Sequence, residues 1–187
     1  CVAGVPPDYF SPTGQLWGNP IYDWDYMKEN NYSWWILRIK ALLEKVDIIR
    51  IDHFRGFESY WSIPFGDKDA TGGKWIKGPD HDLFEQIENK LGKLPIIAED
   101  LGVITDDVKK LRDDFNLPGM RVLQFAFDDS PNNDYLPHNY CKNTVAYTGT
   151  HDNDTTNGWY LSASESEKDN FRRYMNVSGS KPAWELM

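Results

Sequence analysis

Alternating apolar and polar side chains predict a β-strand within residues 47–56. Ile49 and Ile51 alternate with Arg50 and Asp52, and this period of two sends neighbouring side chains to opposite faces of a strand. Arg50 and Asp52 therefore share one face at the end of an otherwise apolar element. Such a pair is either a structural ion pair that covers the strand end or part of a ligand site, because polar groups gather at the carboxyl ends of parallel strands in α/β enzymes.

Three further short apolar stretches have the composition of strands, at residues 94–102, 121–127 and 144–149. The four predicted strands end near Asp52, Glu99, Phe127 and Asp152. Amphipathic helices are predicted before, between and after these strands, and the alternation indicates an α/β fold with a parallel sheet. We expect the first helix to run from an N-cap at Ser33 to about Lys45. Its predicted buried face consists of Trp35, Ile39, Leu42, Leu43 and Val46.

The other helices have clear end signals. One carries Phe84, Ile87 and Leu91 on one face and stops at Gly92. Another is capped by Thr105 and buries Val108, Leu111 and Phe115. The last begins at a capping box formed by Ser164 and Glu167, and its buried face is predicted as Phe171, Tyr174 and Met175.

Residues 4–24 are rich in proline and glycine and also carry large aromatic side chains. Proline and glycine recur too often there for a helix or a central strand, so we expect a long, stiff loop. Its aromatic composition favours a lid or binding loop over a plain connector. A second glycine-rich, aromatic stretch at residues 60–79 shows no clear period.

Composition narrows the function classes. The 187 residues fit one domain, and the net charge of −9 argues against a nucleic-acid or anionic-membrane partner. No segment has the roughly 20 apolar residues of a membrane span, and no signal peptide or nucleotide-binding motif is present. Two cysteines make a disulfide framework unlikely and fit a reducing compartment, for which we expect the cytoplasm. The 8 Trp, 10 Tyr and 9 Phe suit sugar rings and protein cores equally well.

The candidate catalytic residues are acids at the ends of the predicted strands. If the strands are parallel, Asp52, Glu99 and Asp152 meet at one rim, and two carboxylates suffice for retaining glycoside chemistry. Arg50 would keep Asp52 ionised by its positive charge, which favours Asp52 as nucleophile and leaves Glu99 as the acid.

Three motifs then resemble one family. Arg-Ile-Asp-His-Phe-Arg-Gly at 50–56, Ala-Glu-Asp-Leu-Gly at 98–102 and Thr-Gly-Thr-His-Asp-Asn at 148–153 are similar to those of the 4-α-glucanotransferases of glycoside hydrolase family 77. Residues 4–20 resemble the active-site lid of that family, and residues 118–125 resemble its sixth strand. The resemblance implies a partial TIM (β/α)8 barrel made of strands 4 to 7 and the preceding lid loop at 4–24.

The chain is shorter than the catalytic barrel that this family resemblance implies. A complete barrel needs about 250 residues. We therefore expect residues 1–187 to be a fragment of a single catalytic domain, inactive when isolated.

The resemblance also implies roles for single residues. Asp52 matches the nucleophile, Glu99 the general acid/base, and Asp152 a third acid that binds sugar hydroxyls and favours the distorted ring. The residues that match substrate-binding groups are Arg50, His151, Tyr9, Gln15 and Trp17.

No cofactor or metal is expected, because neither a His-Glu-x-x-His motif nor a calcium loop is present. Asp100, Asp154 and His53 are expected to cap or hydrogen-bond in the rim rather than to catalyse.

Three functions are compatible with these residues. The first is transfer of α-1,4-glucan segments to the 4-hydroxyl of an acceptor glucan or glucose, through a covalent glycosyl-enzyme on Asp52. The second is hydrolysis of the same maltooligosaccharides. The third is a catalytically dead, glucan-binding fragment. A stiff aromatic lid would favour transfer, since it could exclude water while an acceptor sugar stacks in its place.

Overall fold

The computed structural model describes residues 1–8 and 11–187. The chain divides into two compact units, Cys1–Leu117 and Pro118–Met187. Each unit contains a pair of parallel strands with helices around it, as the α/β prediction requires.

The strands of the first unit are β1 Val2–Val5, β2 Gln15–Pro20, β3 Ile49–Ile51, β4 Ser59–Ile63, β5 Lys74–Lys77 and β6 Ile96–Ala98. Its helices are α1 Trp24–Glu29, α2 Ser33–Leu43, α3 Asp80–Leu91 and α4 Asp106–Asp114, with a 3-10 turn at Phe54–Phe57. The second unit has strands β7 Gly119–Val122 and β8 Thr144–Tyr147. Its helices are α5 Thr156–Ser162, α6 Glu165–Met175 and α7 Pro182–Leu186, with 3-10 turns at Leu123–Phe125 and Pro137–Asn139.

The predicted parallel pairing is observed within each unit. Strand β3 pairs with β6, with Ile51 opposite Ala98. Strand β7 pairs with β8, with Val122 opposite Tyr147. Because parallel strands cannot be joined by a tight turn, each pair is connected by a long crossover that contains other elements.

The loop interpretation of residues 4–24 is wrong in part. Strands β1 and β2 pair with each other, and β1 also pairs with β4, to give a four-stranded antiparallel sheet in the order β2-β1-β4-β5. Strand β2 lies at the edge of this sheet, where a proline such as Pro20 is tolerated. All six of its residues are exposed, so apolar and polar residues do not alternate along it. Residues 60–79 likewise contain most of β4 and all of β5 rather than irregular chain.

The third predicted strand is also shorter than expected. Strand β7 ends at Val122, and Leu123–Phe125 form a 3-10 turn in which the Gln124 side chain is buried. An apolar run does not by itself distinguish a buried strand from a buried turn.

The core of the first unit lies between β3, β6 and the helices α2, α3 and α4. Phe54, Phe84 and Leu111 are completely buried in it. The predicted end of α3 is confirmed, because Gly92 caps it at φ 78°. In α2 the N-cap is Tyr32, one residue before the predicted Ser33.

Two residues predicted for the core of this unit lie outside it. Leu42 and Val46 are 38% and 46% exposed. Val46 lies beyond the end of α2 at Leu43, so helical spacing no longer turns its side chain towards the core.

The second unit has its own core around Phe127, Leu136 and Phe171. The predicted capping box is confirmed: the Ser164 hydroxyl accepts a hydrogen bond from the Glu167 backbone, and the Glu167 carboxylate accepts one from the Ser164 backbone. Tyr174, predicted to be buried, is 38% exposed at the edge of this core.

Candidate active site

Strands β3 and β6 bring Asp52 and Glu99 to the same edge of their sheet. Ile51 and Ala98 are paired in register, and the two acids are the residues that follow them. The backbone continues this pairing, because the Glu99 N–H donates to the Ile51 carbonyl over 2.9 Å. Two neighbouring parallel strands therefore deliver one carboxylate each, as the sequence predicted for this pair.

Asp52 is the more open of the two acids. Its side chain is 73% exposed, whereas that of Arg50 is 27% exposed. Arg50 Nη2 lies 2.9 Å from Asp52 Oδ1, so the ion pair expected from their shared strand face is present. The Asp52 carboxylate is thus open to solvent on one side and paired with a guanidinium on the other.

Glu99 has a different environment. Its Oε2 accepts the His53 N–H over 2.6 Å, and its Oε1 accepts the Leu101 N–H over 2.8 Å. Burial raises the pKa of the Glu99 carboxyl; the two N–H groups and Arg50 lower it, and the charge of Asp52 raises it further. The net direction is upward, which favours the protonated form that a general acid requires.

His53 and Trp17 lie beside these acids. The His53 ring is packed edge-on against the Trp17 indole, with ring centroids 4.8 Å apart. Trp17 Nε1 donates to Gln15 Oε1 over 3.1 Å, so both predicted substrate-binding residues of β2 are linked. Tyr9, the remaining predicted lid residue, lies outside the described residues.

A cleft of about 540 Å³ lies within the first unit beside Asp52. Besides Arg50 and Asp52 it is lined by aromatic side chains that the sequence did not identify as substrate-binding, namely Tyr22, Trp24, Tyr60 and Trp35, which was predicted only as a core residue. Such a surface has the flat apolar faces and polar edges that suit a sugar chain. The concentration of aromatics in residues 4–24 was the signal that could have identified the first two.

Asp152 and His151 lie in the second unit, in the turn that follows β8. Asp152 is 67% exposed, and its Oδ1 lies 3.4 Å from His151 Nε2. The turn is held by Asn153, whose Oδ1 accepts hydrogen bonds from the Thr150 N–H and hydroxyl. The meeting of Asp152 with the other two acids stays a prediction.

Asp100 and Asp154 make structural contacts. Asp100 forms a buried ion pair with Arg112. Asp154 accepts the Thr155 N–H over 2.7 Å at the start of α5.

Over residues 1–8 and 11–187, no cluster of three His, Cys, Asp or Glu side chains is arranged to hold a metal ion. In the same residues, no helix has the length and apolar character needed to cross a membrane.

The structure thus places an exposed carboxylate in an aromatic cleft and a half-buried carboxylate at the end of the adjacent strand. Paired carboxylates of this kind are typical of enzymes that act on glycosidic bonds. The family model described as 4-alpha-glucanotransferase matches residues 1–187. The chain belongs to the 4-alpha-glucanotransferase family.

Individual relatives agree with this assignment. The chain is 54% identical to a 4-alpha-glucanotransferase of Clostridium butyricum, over 95% of this chain and 37% of the relative. It is 56% identical to a 4-alpha-glucanotransferase of Thermus thermophilus, over 93% of this chain and 35% of the relative. The amylomaltase of Streptococcus agalactiae in complex with acarbose matches with a TM-score of 0.93 and 46% identity, over 99% of this chain and 38% of that structure. The chain thus spans a little over a third of the length of these relatives.

Proposed function

We propose that this chain carries the catalytic acids of a 4-α-glucanotransferase, which moves α-1,4-glucan segments from a donor to the 4-hydroxyl of another glucan or glucose. The family assignment and the relatives' names support the activity. The acarbose bound to the Streptococcus agalactiae amylomaltase supports an α-glucan substrate. The observation that carries the proposal is the contrast between exposed, Arg50-paired Asp52 and half-buried Glu99 on adjacent strands.

The chemistry is a retaining double displacement. The Asp52 carboxylate attacks the anomeric carbon, and the bond to the leaving 4-oxygen breaks as Glu99 gives that oxygen its proton. The glycosyl group is then bound to Asp52. Glu99, now ionised, takes the proton of an acceptor 4-hydroxyl, whose oxygen attacks the anomeric carbon and releases Asp52.

Asp152 completes the proposed set of acids by binding sugar hydroxyls on the distorted ring. His151 and Arg50 would hold the sugar at the cleavage point. Gln15 and Trp17 would contact the glucan from β2, together with Tyr9.

We further propose that β3, β6, β7 and β8 are strands 4 to 7 of a (β/α)8 barrel, and that residues 4–24 act as its lid. The two parallel pairs support this topology. The cytoplasmic location stays a prediction, since a relative from Solanum tuberosum that is 52% identical is named as chloroplastic/amyloplastic.

Incubating the complete polypeptide that contains this chain with maltotriose tests the activity. We expect glucose and a ladder of longer maltodextrins. Maltose and glucose alone would show hydrolysis instead, and unchanged maltotriose would contradict both enzymatic functions. The Asp52→Asn and Glu99→Gln variants should lose turnover while keeping the wild-type circular dichroism spectrum.

Azide, added as an external nucleophile, distinguishes the roles of the two acids by the anomer of the glycosyl azide that forms. With an α-maltosyl fluoride donor, Asp52→Ala lacks the nucleophile, so azide should displace fluoride directly and give the β-azide. Glu99→Ala should still form the glycosyl-enzyme, so azide should displace Asp52 and give the α-azide. The same anomer from both variants would defeat the assignment of the roles.

A further inference from the structure

His53 has a backbone conformation that is unusual for a residue with a side chain. Its φ of 48° and ψ of 53° lie in the left-handed region, and it stands two residues after the end of β3 at Ile51. Non-glycine residues adopt this region uncommonly, and such strain persists where the surroundings impose it, often at functional sites.

That conformation directs the His53 backbone at Glu99. The His53 N–H donates to Glu99 Oε2 over 2.6 Å, while the next N–H, of Phe54, donates to the Glu99 carbonyl over 3.0 Å. The turn is closed by the Gly56 N–H, which donates to the His53 carbonyl over 2.9 Å. Glu99 is therefore held at its main chain and its carboxylate by two consecutive residues of one turn.

The imidazole has two close neighbours. Trp17 lies edge-on at a centroid distance of 4.8 Å. A side chain at Gly56 would come within 3.1 Å of His53 Cδ2, so glycine leaves room for the ring. Burial and the nearby Arg55 lower the pKa of His53 to about 4, although Asp52 opposes them. At neutral pH the ring is thus uncharged and cannot serve as a cation for Glu99.

We propose that His53 is a positioning residue for Glu99, acting through the backbone N–H that its left-handed conformation presents to the Glu99 carboxylate. The inference rests on the proposed role of Glu99 as acid/base. It assigns the ring no proton transfer.

Substitutions that differ in their tolerance of the left-handed region test this. His53→Gly and His53→Asn accept positive φ, whereas His53→Ala disfavours it. In the complete polypeptide, we expect His53→Ala to lower kcat about a hundredfold with KM changed less than about threefold, because a small misplacement of a catalytic group is costly. His53→Gly and His53→Asn should keep most of kcat.

The titration of Glu99 gives a readout that does not depend on the reaction. The groups that face this carboxyl are Asp52, Arg50 and the two N–H donors. If alanine turns the backbone N–H of residue 53 away from Glu99, a hydrogen bond to the ionised carboxylate is lost. We therefore expect ¹³C-carboxyl NMR to show a higher Glu99 pKa in His53→Ala, with the resonance assigned by its absence in Glu99→Gln. His53→Gly should titrate like the wild type.

Asn176→Ala is the matched control, because Asn176 is also left-handed, at φ 54°, but caps α6 in the second unit. It should leave kcat and the Glu99 titration unchanged. An unchanged Glu99 titration in His53→Ala would overturn the proposal, as would equal losses in His53→Gly and His53→Ala, which would assign the effect to the ring. If the wild type transfers no glucan, the proposed function fails, while the NMR comparison still decides the positioning role.

Discussion

At the scale of single residues, two carboxylates from similar strand ends have opposite environments. Asp52 projects beyond β3 beside Arg50, whereas Glu99 folds back to accept two backbone N–H groups. Burial raises the pKa of Glu99, and the neighbouring Asp52 charge adds to that rise. Pairs of acids whose environments separate their protonation states are the usual basis of glycoside chemistry.

Trp17 offers the most direct test of acceptor binding. The indole is 42% exposed, and Gln15 and His53 hold it in place. We expect Trp17→Ala to lower the ratio of transfer to hydrolysis by roughly ten- to a hundredfold, because an acceptor sugar loses the surface that orients its hydroxyl. Products from maltotriose measure the ratio. Trp184→Ala is the control, since Trp184 is 76% exposed on α7; an unchanged ratio for Trp17→Ala would leave Trp17 a packing residue.

At the scale of elements, charged pairs attach α4 to its neighbours. Asp100, at the end of β6, pairs with Arg112 of α4, and the two side chains are 2% and 9% exposed. His81 of α3 bridges Asp80 and Asp114, with its ring nitrogens 2.8 Å from each carboxylate. The Asp100–Arg112 pair attaches the residue that follows Glu99 to α4, and the His81 bridge attaches α4 to α3.

Breaking the buried pair should be costly. Arg112→Ala leaves the Asp100 charge buried without its guanidinium, and we expect a loss of about 3–5 kcal/mol in the free energy of unfolding. Urea unfolding of the complete polypeptide measures it. The double variant with leucine at both positions removes both charges and should recover most of the loss. A single-variant cost below about 1 kcal/mol would contradict a stabilising role for the pair.

The His81 bridge should make stability depend on pH. The hydrogen bond to Asp114, with help from Asp80, raises the pKa of His81, while burial opposes the rise. Lys77 and Lys110 pair with the same two carboxylates. Because the folded state favours the charged imidazole, its stabilisation is complete below about pH 6.5 and is lost as the pH rises through the folded-state pKa.

The melting temperature of His81→Gln should therefore fall further below the wild type at about pH 5.5 than at about pH 8.5. In an Asp114→Asn background the His81→Gln effect should shrink. A difference in melting temperature that is the same at both pH values would show that His81 contributes by packing alone.

At the scale of the whole chain, the parallel strands in the described residues form two-stranded sheets only. Within the described residues β3 and β6 form a two-stranded sheet, and so do β7 and β8. Parallel sheets are normally covered on both faces, and two strands are rarely stable by themselves. Large apolar side chains are also exposed, among them Leu37 on α2 at 64% and Ile48, next to β3, at 59%.

We therefore expect the 187 residues expressed alone to associate or to melt without cooperativity, and to transfer no glucan. Light scattering, calorimetry and the maltotriose assay measure these properties. The complete polypeptide is the control. A monomer of residues 1–187 that melts cooperatively and disproportionates maltotriose would contradict this expectation.

Local patterns determined much of the first unit's core and part of its site. The alternation at Ile49–Ile51 placed Arg50 and Asp52 on one face, and the structure shows them paired. Apolar spacing also identified α3 and α4, because a helix that packs one face on the core has apolar residues every three to four positions.

Other features depended on contacts between distant residues. Strand β2 is exposed at every position and is a strand only because β1 pairs with it, so it left no period to detect. The orientation of Glu99 depends on a backbone N–H donated by His53, 46 residues earlier in the chain, and its raised pKa depends on burial. The sequence by itself thus determined which acids end the strands, through local periodicity. Only the tertiary structure decided which acid is exposed and which is half-buried, because solvation is a property of the packed fold.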